Sequence, residues 1–106
     1  MRRGEVWWAQ LLPPAGRTPV VLVSRDEAYA VRELIVVIPV TTRVRRLPAE
    51  VPLGPQDGLP RTCAANADTI TTIAKASLQE HITALKPEKL QAVDDALRFA
   101  LGLDGN

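Results

Sequence analysis

One cysteine and one histidine are all that 106 residues hold of the side chains that most often build metal centres and nucleophilic dyads. Cys63, standing alone, excludes an internal disulfide. Cys63 and His81 together cannot close a zinc site of Cys and His. No carboxylate cluster offers a harder cation a home, so chemistry without metal or cofactor is expected. A histidine pair for proton transfer is likewise excluded. Long apolar runs are missing too: none approaches the roughly 20 residues of a membrane helix. The opening Met1-Arg2-Arg3-Gly4-Glu5 lacks the apolar stretch of a secretion signal. No membrane association and a cytoplasmic location are the resulting expectations. Excess charge is also lacking. A net charge of +1 argues against a strong nonspecific nucleic-acid binder.

What is present is an ordinary globular composition, 46% hydrophobic and 24% charged. The length suits one domain, residues 1–106, with a small core to which dimerisation often adds stability. Charge is unevenly spread. Residues 1–61 carry nine Arg and six acids, whereas residues 62–106 carry four Lys/Arg and six acids. Every cation of the first part is arginine, whose planar fork matches phosphate or carboxylate better than the point charge of lysine. A solvated arginine-rich surface is the alternative reading.

The apolar pattern predicts strands and one long helix. Glu5 to Leu12 reads as a strand, stopped by the loop Pro13-Pro14-Ala15-Gly16. Pro19 to Ser24 is a β-branched second strand. Arg25 to Val31 suits a short helix capped by Ser24. Leu34 to Ile38, apolar on both faces, belongs in the middle of a sheet or barrel. The Pro- and Gly-rich segment from Arg43 to Arg61 predicts a short edge strand, Ala49 to Leu53, and a turn at Gln56-Asp57-Gly58. Thr62 to Ala67 and Thr69 to Ala74 predict two short strands or one bent one. Ser77-Leu78-Gln79 suggests a turn before a last strand, Glu80 to Ala84. Pro87 to Leu101 is the helix, with Pro87 and Glu88 opening it and Gly102 closing it. Its Leu90, Val93, Leu97 and Leu101 share one face. The sum is α+β and mainly β: a small, partly open barrel or strongly bent sheet with a C-terminal helix.

Two strand ends bring cations and hydroxyls together. Arg17-Thr18-Pro19 leads into the second strand, and Pro39-Val40-Thr41-Thr42-Arg43 leaves the central one. Cleaving RNA without metal requires proton transfer and donors aimed at the phosphoryl oxygens. A guanidinium and a hydroxyl supply such donors, although threonine also favours strand ends for its own sake. Only one of Thr41 and Thr42 can face a given site. Arg43-Val44-Arg45-Arg46 is the densest basic cluster, either an RNA backbone contact or a solvated loop. Asn66 and Asp68 suit a turn between strands or contacts to a base. Trp7 and Trp8 are expected in the core, with base stacking the alternative. His81 is expected to be structural or exposed, and Cys63 a small buried residue rather than a nucleophile.

Arg3-Gly4-Glu5-Val6-Trp7-Trp8-Ala9 resembles the opening of the MazF/PemK toxins. So do Pro19 to Ser24, Pro39-Val40-Thr41-Thr42, and the closing Val93-Asp94-Asp95-Ala96-Leu97 through Leu103. Each piece is short; their order and spacing across Arg3 to Leu103 carry the likeness. The resemblance implies a toxin–antitoxin endoribonuclease with an SH3-like barrel, acting as a homodimer. It implies metal-free cutting of single-stranded RNA that leaves a 2′,3′-cyclic phosphate and a 5′-hydroxyl. It also implies an acidic MazE-like antitoxin tail lying in the RNA groove. Thr41 matches the family's catalytic threonine, with Thr42, Arg43, Arg45, Asn66 and Asp68 as candidate RNA contacts. The family's catalytic arginine directly precedes the second strand's proline, where this chain has Thr18; Arg17 lies one residue earlier. Arg17, Arg25 or Arg43 are candidate replacements for the charge, and reduced activity is expected. The gyrase poison CcdB shares the fold implied and is a binding protein without nuclease activity. It is the second reading, disfavoured because Leu101 to Asn106 lacks the aromatic that poison presents.

Overall fold

The computed structural model describes residues 1–103. Its strands are β1 (Glu5–Gln10), β2 (Arg17–Leu22), β3 (Leu34–Thr41), β4 (Glu50–Leu53), β5 (Cys63–Asn66), β6 (Thr71–Ala74) and β7 (Leu78–Ala84). Two helices, α1 (Ala28–Val31) and α2 (Pro87–Leu101), complete the chain. The strands form one antiparallel sheet in the order β4-β5-β3-β2-β1-β7, with β6 paired to β3. The end strands β4 and β7 are not paired with each other, so the sheet stays open as a barrel-like mixed fold with a C-terminal helix.

The two-faced apolar run becomes the centre, as its composition predicts. β3 pairs with β2, β5 and β6, so both its edges are covered, and Ile35, Val37, Ile38 and Val40 are buried, while Leu34 at its start is exposed. Alternation along β2 and β3 divides the core in two. Val21 and Ile38 point to one side, where Val93, Ala96 and Leu97 of α2 close the larger cluster. Val20, Leu22 and Val37 point to the other, with Tyr29 of α1. Each fully buried Val, Leu or Ile contributes about 1.5–3 kcal/mol of hydrophobic stabilisation.

Several boundaries move. β1 ends at Gln10, because the Leu11 N–H already bonds the Gly16 carbonyl at 2.8 Å and closes the Pro13–Gly16 loop. β2 begins at Arg17, two residues before Pro19, paired to Gln10 and Ala9. Ser24 is not a helix cap. Its hydroxyl accepts the Val36 N–H at 2.8 Å, because the chain still runs beside β3 there. α1 therefore starts at Ala28 without a side-chain cap. β5 and β6 are separate strands, joined by a 3₁₀ turn at Ala67–Thr69. The last turn falls at Lys75–Ser77, so Leu78 and Gln79 belong to β7. In α2, Val93 and Leu97 are buried, but Leu101 is 53% exposed. The helix packs on β4 and the Ala67–Thr69 turn, and its last turn reaches beyond that support. Phe99 on the same turn is also exposed, so the helix end does carry an aromatic; residues 104–106 lie outside the described part. Gly102 ends α2 at φ 66°, its N–H reaching the Arg98 and Phe99 carbonyls.

Long-range polar contacts join the ends of the chain. The Arg3 guanidinium lies 2.6 Å from Asp94 on α2, and its Nε donates to the Val23 carbonyl. Gly58 closes the turn after Pro55–Asp57 at φ +96°. A Cβ there would lie 2.7 Å from the Thr83 Cβ and 2.5 Å from its Oγ1. Gly58→Ala is therefore expected to cost about 2–3 kcal/mol through combined strain and overlap. Urea unfolding measures this, and an unchanged midpoint would refute the clash.

Candidate active site

The ends of β1, β2, β3 and β5 that lie beside the Pro13–Gly16 and Arg43–Arg46 loops border a cleft of about 750 Å³. Thr18 and Thr41 both line it, for a reason legible in the register. Val20 faces Pro39 across the β2–β3 ladder. Continuing that antiparallel register by two residues brings Thr18 opposite Thr41. The strands separate there, and the cleft opens between them.

The Thr41 hydroxyl accepts the Arg43 N–H at 3.1 Å. Its O–H remains free to donate into the cleft. Thr18 is different. Its hydroxyl donates to the Ala15 carbonyl at 2.9 Å and clasps the preceding loop. Position 18 thus supplies neither charge nor a free donor.

Arg17 lines the cleft on its other side. Alternation turns it toward the face of Trp8 and Pro19. Its guanidinium stacks 4.3 Å from the Trp8 ring centroid. Nε donates to Gln79 Oε1 at 3.0 Å, and Nη2 lies 3.7 Å from Glu80 Oε2. Arg17 is therefore engaged with β7 and with Trp8, not with Thr41.

Of the other candidates, Thr42, Arg45 and Asn66 line the cleft, so both neighbouring threonines reach it and not one alone: β3 ends at Thr41, and Thr42 beyond it no longer alternates. Arg43 does not, although its backbone touches Thr41. Asp68 does not either; it is exposed, and its N–H donates to Asn66 Oδ1 at 2.9 Å. That bond occupies the Asn66 oxygen and leaves the amide NH₂ to donate. Arg25 lies outside the cleft as well. The cations that do reach it besides Arg17 are Arg45 and Arg61. Among the described residues the lining holds three guanidiniums and no carboxylate, an arrangement that attracts an anionic chain.

Sequence reasoning missed Arg61 and Thr69 as lining residues, and expected Trp8 in the core with base stacking as the alternative. Arg61 sits in an irregular Pro/Gly segment with no period to point its side chain anywhere. Trp8 is half-buried on the cleft wall rather than in the core, because Arg17 covers one ring face. Trp7 is also only half-buried, its N–H donating to Glu5 at 2.9 Å and its ring meeting exposed His81 edge-on at 5.5 Å. Cys63 lines the cleft yet is 3% exposed. Burial, and then the charge of Asp57, push its thiol pKa up, which keeps it protonated and unreactive at neutral pH. Among the described residues no three His, Cys, Asp or Glu side chains converge in a metal-binding group. No described helix is long and apolar enough to cross a membrane.

Comparison with known proteins agrees with this geometry. Residues 2–101 match the family model of the PemK-like, MazF-like toxins of type II toxin–antitoxin systems. A probable endoribonuclease of Mycobacterium tuberculosis, MazF5, is 38% identical over 100 residues, covering 93% of this chain and 91% of that protein. The Mycobacterium tuberculosis toxin MazF-mt6 superposes with a TM-score of 0.86 at 29% identity, over 94% of this chain and 98% of its own. A mycobacterial endoribonuclease solved in complex with its cognate antitoxin superposes at 0.87 with 32% identity, over 97% and 96% of the two chains. With the match spanning nearly every described residue, and with the barrel-like sheet, C-terminal helix and anion-ready cleft in place, the chain belongs to the PemK-like, MazF-like toxins of type II toxin–antitoxin systems, a family of endoribonucleases.

Proposed function

We propose that this chain binds single-stranded RNA in the Thr18–Thr41 cleft and cleaves it without metal. The ribose 2′-oxygen attacks the adjacent phosphorus, and the bond to the 5′-oxygen breaks. The 2′-hydroxyl gives up a proton and the leaving oxygen gains one, so the products are a 2′,3′-cyclic phosphate and a 5′-hydroxyl. Thr41 donates to a phosphoryl oxygen where negative charge grows. Arg45 and Arg61 hold neighbouring phosphates, and the Asn66 amide and Thr42 hydroxyl meet base edges. Thr18, in the place of a catalytic guanidinium, makes the enzyme slow. An acidic antitoxin tail competes for the same guanidiniums, the active form is a homodimer, and the cytoplasm is where it acts.

The observation that carries this reading is the lining itself: three arginines, two threonines from adjacent strand ends and no acid. Binding to a fluorescent single-stranded RNA across a salt series tests it. Each phosphate contact contributes about −0.7 to the slope of log K against log salt. The Arg45→Ala/Arg61→Ala double variant is therefore expected to flatten the slope by about 1.4. The residual cleavage of the wild-type chain should persist in EDTA and yield cyclic-phosphate ends. A slope untouched by the double variant, or cleavage abolished by EDTA, would overturn the assignment.

A further inference from the structure

Two polar side chains are buried among the described residues, Glu50 at 7% exposure and Asn66 at 8%. They face each other across the β4–β5 ladder. Side chains directly opposite on an antiparallel pair share a face. Each spends an oxygen on backbone at the edge of the cleft. Asn66 Oδ1 takes the Asp68 N–H. Glu50 Oε1 takes two, the Arg45 N–H at 2.8 Å and the Arg46 N–H at 2.9 Å.

Two successive N–H groups converging on one oxygen form a nest, the backbone shape that favours an anion. Here a carboxylate of the chain itself fills it. The nest requires Arg46 at φ 57°, a conformation that side-chain-bearing residues avoid. Glu50 Oε2 is buried without a partner, and among the described residues no cation lies within ion-pair distance of the carboxylate. A buried charge is costly unless its bonds repay it, and the bonds Glu50 makes go to this loop. The consequence is a sorting of arginines: Arg45 lines the cleft, whereas Arg43 and Arg46 do not.

We propose that Glu50 is a positioning residue that holds the loop of residues 43–46, with Arg46 left-handed, so that Arg45 meets the RNA backbone. The proposal rests on the reading that Arg45 contacts RNA. Its test is the Kd of a mixed-sequence single-stranded RNA for the wild type, Arg45→Ala, Glu50→Ala and the double variant, with melting temperatures alongside. Arg45→Ala and Glu50→Ala should each weaken binding about tenfold, the value of one charge-assisted hydrogen bond. The double variant should bind no worse than either, because Glu50 acts through Arg45. Should Glu50→Ala fail to fold, Glu50→Gln and Glu50→Asp decide. Gln keeps the acceptor at full reach and should bind like the wild type; Asp keeps the charge, falls a methylene short and should bind weakly. Wild-type binding by Glu50→Ala or by Glu50→Asp, or losses that add fully in the double variant, would overturn the proposal. An unchanged Kd in Arg45→Ala would instead remove the RNA role of Arg45, and the proposal with it.

Discussion

Thr18→Arg is expected to raise the rate of RNA cleavage by about 10²–10³-fold, the usual worth of one well-placed donor to a developing oxyanion. Side-chain direction decides the effect. Side chains alternate along β2, so position 18 shares the face of Val20 and, across the cleft, of Thr41. Position 17 faces Trp8, where Arg17 is already stacked and bonded to Gln79. No rotation of the Arg17 side chain puts its guanidinium on the Thr41 side without giving up those contacts. Thr18, for its part, spends its O–H on the Ala15 carbonyl. Losing that exposed bond costs about 1 kcal/mol of loop stability, small beside the gain at the phosphate. Single-turnover cleavage of a mixed single-stranded RNA compares the two proteins. A companion Arg17→Ala change in the Thr18→Arg protein should leave kcat unchanged. Equal rates for wild type and Thr18→Arg would sink the idea that position 18 is the catalytic slot.

Thr41→Val, made in the Thr18→Arg protein, is expected to lower kcat by about 10–100-fold. Valine keeps the shape and the β-branch but removes the donor. A hydrogen bond to a charged oxygen contributes about 1.5–3 kcal/mol, and it strengthens as charge builds in the transition state. The loss should therefore fall on kcat rather than KM. The structural side effect is small, because among the described residues the one bond that the hydroxyl accepts, from the Arg43 N–H, is exposed and long at 3.1 Å. An unchanged kcat would mean that Thr41 is there as a strand residue. A raised KM at constant kcat would make it a binding residue.

The elements that sequence reasoning found were those with a strong local cause. Leu34 to Ile38 could only be central because both its faces are apolar, and β3 indeed has partners on both edges. Pro87 and Gly102 bound α2 through fixed φ and a left-handed cap. The misplacements have a common origin in competition from a distant partner. Ser24 was available as a cap, but β3 captured its hydroxyl first. Leu101 fits the apolar period of α2, yet no described part of the sheet covers it and it stays exposed. Trp8 has a core residue's neighbours in sequence, and a cation from β2 turns it into a cleft wall.

By itself the sequence determined that the domain is small, strand-rich and closed by a helix. It also determined that a proline-led strand and a threonine-ended one carry cations and hydroxyls at their ends. These follow from composition, apolar period and alternation, which act over a few residues. That Arg17 stands one residue before the family's arginine position came from the resemblance alone. Tertiary structure alone decided which arginines serve the cleft. Arg45 and Arg61 reach it, whereas Arg25, Arg43 and Arg46 do not. An arginine side chain is long and nearly indifferent to its local backbone, so its place depends on what lies across the fold. For Arg17 that is Trp8, Gln79 and Glu80; for Arg45 it is the buried carboxylate of Glu50 bonding the loop from the next strand.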